Sequence, residues 1–69
     1  MKIVKLVAIQ KRREALGLSC ERLAQKSKVS ASLIRAMEEG IEDTKVMFDD
    51  LCRVCKSLAI PLYRVLRGI

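Results

Sequence analysis

The sequence predicts an all-α fold, a compact bundle of five short helices. Three observations lead there. Apolar residues recur at steps of three and four along nearly the whole chain of 69 residues. The few helix breakers, Gly17, Gly40, Pro61 and Gly68, stand between those periodic stretches and not inside them. Ser19 and Ser30 each precede a periodic stretch and offer a capping oxygen to it. At 51% apolar residues the chain is too hydrophobic for a disordered tail, and its length leaves room for one core only. Residues 1–69 are therefore read as a single domain.

In the first helix Leu6, Ile9, Arg13 and Leu16 share one stripe, with Lys5, Lys11, Arg12 and Glu14 mostly off it. Residues 2–5 are rich in β-branched types, so they are either the start of that helix or a short extended arm, with residues 1–5 as the outer limit of the arm. Gly17 ends the helix by access to positive φ. After the Ser19 cap, Cys20, Leu23, Ala24 and Ser27 line one face of a second helix, while Glu21, Arg22, Gln25 and Lys26 face out. That helix has about two turns and needs neighbours to hold it. Lys28-Val29 makes a tight connection to the Ser30 cap.

In the third helix Leu33, Ile34 and Met37 cluster on one side, and Ala31, Ser32, Arg35, Ala36 and Glu39 on the other, with Glu38 at the edge. Residues 41–46 read as a loop. Phe48, Leu51, Cys52, Cys55 and Leu58 form the stripe of a fourth helix, with Asp49 and Asp50 in its first turn and Lys56 in its last, as the helix dipole favours. Asp49 and Arg53 are spaced to pair at i, i+4. Pro61 suits the first turn of a fifth helix with Leu62, Val65 and Leu66 on its stripe.

Composition narrows the function classes. The chain has no His, which removes the commonest general base and the commonest metal ligand. No nucleophile–base pair is visible, so an enzyme is not expected. Cys20, Cys52 and Cys55 are an odd set. Cys52-x-x-Cys55 is half of a metal or redox motif, but zinc takes four ligands and the chain has at most three soft ones, so no metal and no cofactor are expected. Free thiols point to a reducing compartment, hence the cytoplasm. No apolar run is long enough to span a membrane.

The charge of +6 is unevenly placed. Residues 1–28 carry eight basic and two acidic groups, residues 29–50 two basic and six acidic, and residues 51–69 four basic and none acidic. A polyanion is attracted by both ends of the chain and repelled by its middle.

Three blocks, residues 16–30, 31–40 and 51–62, resemble a Cro/repressor-type (XRE family) helix-turn-helix DNA-binding domain over roughly residues 6–66. The resemblance implies a lambda-repressor-like bundle in which the second and third helices form the helix-turn-helix. It pairs Arg13 with Glu38, joining the first helix to the third. The spacing agrees, because Arg13 interrupts an apolar stripe and needs a carboxylate if buried. The third helix becomes the recognition helix, with Ala31, Ser32, Arg35 and Ala36 on the base-reading face. Cys20 stands where many relatives carry a Gln that touches phosphate. Arg12, Lys26, Lys28, Ser30 and Lys45 complete the expected contacts to the DNA backbone. Lys28 and Ala59 replace usual glycines, which implies positive φ at two side-chain-bearing residues.

The expected function is a small sequence-specific transcriptional regulator that inserts its third helix into the major groove. A homodimer is expected through Leu62, Tyr63, Leu66 and Ile69, with Ile3-Val4 as a second candidate surface. No sensor domain is present, so no small-molecule effector is expected. The alternative is a protein-interaction domain on the same scaffold. Glu39, Glu42 and Asp43 favour it, because they stand where relatives often present Lys or Arg to DNA.

Overall fold

Helix ends are set first by local chemistry, and in this chain two helices open on a serine cap. The computed structural model describes residues 2–67. Its helices are α1 (Val7–Ala15), α2 (Cys20–Ser27), α3 (Ala31–Glu39), α4 (Phe48–Leu58) and α5 (Leu62–Leu66). Ser19 Oγ accepts from the Arg22 amide at 3.0 Å and Ser30 Oγ from the Leu33 amide at 3.1 Å, so both serine caps form. Gly17 ends the first turn region at φ +68°. Pro61 stands one place earlier than expected, at the N-cap of α5.

Residues 41–46 are not a plain loop and residues 2–5 are neither helix nor free arm. Ile3–Val4 (β1) and Ile41–Glu42 (β2) pair antiparallel, Ile3 opposite Glu42 and Val4 opposite Ile41, and Asp43–Lys45 closes a 3-10 turn. The cause is alternation: Val4 and Ile41 point into the core while Ile3 and Glu42 point out. A two-residue strand is too short to show such a period in the sequence. The Leu6 amide then donates to the Met37 carbonyl at 2.8 Å, tying the N-terminal segment to the end of α3. All-α thus describes everything except this small ribbon.

The core joins all the elements: Leu6, Ile9, Leu23, Ile34, Met37, Val54, Leu58 and Val65 are almost completely buried. Three members of the expected stripes are exposed instead: Leu16, Phe48 and, on α5, Leu66. Leu16 follows the last residue of α1 and is exposed, and Phe48 opens α4 and is 61% exposed. Val54, one step of three beyond Leu51, joins Leu51, Cys55 and Leu58 as the buried side of α4. Arg53 pairs with Asp50 at 3.8 Å, one residue nearer than Asp49. Gly68 and Ile69 lie outside the described residues.

Candidate nucleic-acid interface

The turn between α2 and α3 fixes how far α3 stands out. Lys28 takes left-handed φ +60°, and its amide closes α2 by donating to the Ala24 carbonyl at 2.8 Å. Val29 is buried beneath the turn. The buried Ser27 hydroxyl donates to the Leu23 carbonyl, so no polar atom is stranded there. Ala59, the other expected positive-φ position, has φ +55° at the end of α4.

Arg13 and Glu38 hold α3 to α1 as the resemblance implied. Arg13 Nε donates to Glu38 Oε2 at 2.8 Å and Nη2 to Oε1 at 2.9 Å, a two-point fork, while Nη1 donates to the Leu18 carbonyl at 2.8 Å. The hydrogen bond to Glu38 raises the Arg13 pKa further above its ordinary value, against the opposing effect of burial. With Ile34 and Met37 also buried, one side of α3 is fixed to the scaffold.

The opposite side of α3 is the candidate reading surface. Ser32, Arg35 and Glu39 are exposed, while Ala31 and Ala36 are half-buried, Ala36 packing against the core. The Arg35 guanidinium pairs with the Glu21 carboxylate of α2. Sequence periodicity could not find this pair, because its partners lie on different helices. Beyond α3, Lys45 pairs with Glu42 at 3.7 Å, and Asp43 accepts at 3.4 Å from the Lys2 amide. Of the three acids expected to repel a polyanion, Glu42 and Asp43 therefore have partners at hand.

The expected backbone residues do not gather on one surface. Ser30 and the half-buried Cys20 sit at the first turns of α3 and α2. Arg12 Nε donates to the Leu58 carbonyl at 2.8 Å, so this side chain straps α1 to the end of α4. Lys26 and Lys28 line a groove with Arg53, Lys56 and Ser57 of α4. The Cys52-x-x-Cys55 pair splits: Cys52 is half-buried and Cys55 lies in the core, where burial raises its thiol pKa, with a smaller contribution from Cys52. No group of three or more His, Cys, Asp and Glu among the described residues is placed to hold a metal ion. No helix among them is long and apolar enough to cross a membrane.

Comparison with known proteins bears on this geometry. A family model described as "Helix-turn-helix domain" matches residues 8–44, which run from α1 through α3 into the 3-10 turn. The chain belongs to that helix-turn-helix family. A similar solved structure is that of the clp gene regulator ClgR from C. glutamicum. It is 27% identical, with a TM-score of 0.72, and the match covers 90% of this chain and 78% of that one. Comparison with curated proteins gave no match. The helix-turn-helix assignment and the regulator likeness together support a DNA-binding regulator.

Proposed function

We propose that the chain is a Cro/repressor-type (XRE) transcription regulator that sets α3 into the major groove and reads base edges with Ser32 and Arg35. The observation that carries the reading is the division of α3. One side is locked by Ile34, Met37 and the Arg13–Glu38 fork, and the other leaves Ser32 and Arg35 projecting. A helix of nine residues is about 13–14 Å long and suits a groove about 12 Å wide. Arg35, exchanging the exposed Glu21 carboxylate for a base, bonds guanine O6 and N7 as a fork, Ser32 donates or accepts, and Ala31 touches a thymine methyl, while Ala36 is turned toward the core.

The N-terminal amides of α2 around Cys20, with Ser30 and Lys45, meet phosphate. Arg12 is engaged with Leu58 and contributes at most its outer nitrogens. Two copies bind a two-fold operator, joined through α5, where Tyr63 is 63% and Leu66 42% exposed and Leu62 is half-buried. The protein works in the cytoplasm as a binding module, without a catalytic step or an effector.

The test is selection of preferred duplexes from a random-sequence pool, followed by anisotropy titrations. Arg35→Ala should relax preference at one base pair by about 1–3 kcal/mol while leaving non-specific binding in place. A chain that holds no duplex even at low salt contradicts the reading and favours the protein-interaction alternative. Sedimentation showing only monomer, with and without DNA, removes the dimer.

A further inference from the structure

Outside the reading surface, cationic side chains gather at a groove of about 500 Å³ between the end of α2 and α4. Lys26, Ser27, Lys28, Arg53, Lys56 and Ser57 line it. Four of these six are cationic, and no carboxylate is among them. Arg53 has Asp50 at 3.8 Å, whereas Lys26, Lys28 and Lys56 form no ion pair with the described residues. A smaller groove of about 290 Å³ adjoins it and shares Arg53 and Lys56, with Asp49 and Cys52 completing its lining.

Like charges gathered in a concave surface repel one another and raise the local potential, and an anionic ligand relieves both. Three of the four cations are lysines, mobile point charges suited to phosphate without base readout. Ser57 adds a hydroxyl donor.

The groove is not part of the α3 surface. Glu21 and Lys26 are five positions apart, about 140° around α2. Glu21 reaches Arg35 of α3 on one side of the helix, and Lys26 faces α4 on the other. On that arc lie Gln25 and Arg22, while the buried Leu23 and Ser27 fall on the longer way round, toward the core. Arg53 and Lys56 also fall outside the matched residues 8–44.

We propose that this groove is a second, sequence-blind site for a nucleic-acid phosphate chain, rimmed by Lys26, Lys28, Arg53 and Lys56 on a different face from the reading helix. It rests on the DNA-binding reading above. It lets one chain hold a second stretch of backbone while α3 occupies its own groove.

The experiment compares the wild-type chain with Arg53→Gln/Lys56→Gln and with Arg35→Ala, all checked for unchanged melting by circular dichroism. The probes are a selected duplex and a labelled mixed-sequence duplex. With the mixed-sequence probe, the α4 double variant should flatten the dependence of log K on log salt by about two. Wild type saturated with the selected duplex should bind the labelled one as well, and the α4 variant should not. Base preference should be intact in the α4 variant and altered in Arg35→Ala. An unchanged salt slope and an unchanged two-duplex complex overturn the groove site while leaving the α3 reading standing. Loss of the two-duplex complex in the α4 variant, with Arg35→Ala indistinguishable from wild type, supports the groove and sinks α3. A wild-type chain that binds poly-glutamate but no duplex overturns both.

Discussion

Lys28 and Ala59 show how a single residue can carry strain for the sake of a turn. Both adopt left-handed φ, at +60° and +55°, where a Cβ costs roughly 1 kcal/mol relative to glycine. Lys28→Gly and Ala59→Gly are each expected to raise stability by about 0.5–1 kcal/mol, once the greater freedom of glycine in the unfolded chain is set against the relief. Urea unfolding measures the change; a loss of stability at both positions would mean the turns are built differently. These two were legible in the sequence because they replace glycines of a resembled pattern. The Glu21–Arg35 pair was not legible, because nothing within either helix signals a contact across the turn. Cys55 makes a separate prediction at this scale. Its buried thiol, with pKa raised by desolvation, should react with a thiol reagent after Cys20 and Cys52, which are both half-buried. Mass spectrometry of partly labelled protein reads the order.

Among the elements, α1 and α3 are joined by one charged fork, and the cost of cutting it is uneven. Arg13→Ala leaves the Glu38 carboxylate at 6% side-chain exposure without its partner, and should cost about 3 kcal/mol. Glu38→Gln keeps the shape and an acceptor, and should cost clearly less. Equal losses for the two, measured by chemical unfolding, would mean the fork contributes little beyond packing. The N-terminal ribbon is the second joint. Val4→Ala removes apolar surface from a side chain only 3% exposed and should cost about 2 kcal/mol, where a frayed arm would show no change. The helices were readable because serine caps and apolar steps are local signals. The ribbon was not, since two strands of two residues each are defined only by their pairing across the sequence, Val4 with Ile41 and Ile3 with Glu42. Periodicity likewise counted Leu16 and Phe48 as core, though they stand at the end of α1 and the start of α4 with their side chains exposed, because a stripe does not say where burial stops.

For the whole molecule, the charge asymmetry of the sequence becomes a division of surfaces. The acidic middle segment, net −4 over residues 29–50, holds α3 and β2, yet Glu38 is consumed by Arg13 and Glu42 lies beside Lys45. Much of the apparent repulsion is therefore answered inside the fold, which leaves Glu39 as the exposed acid of α3. Basic residues from both ends of the chain, Lys26 and Lys28 with Arg53 and Lys56, meet across α2 and α4, a convergence that depends on the tertiary arrangement and has no linear signature. The account stands or falls on α3 entering the major groove with Arg35 on a guanine. Guanine N7 lies in that groove, so methylating it blocks a bidentate arginine. The deciding measurement is methylation interference on a selected duplex, with wild type and Arg35→Ala side by side. The account predicts at least one guanine whose N7 methylation prevents wild-type binding and has no effect on the variant. Interference at no guanine, or the same pattern with both proteins, would contradict it.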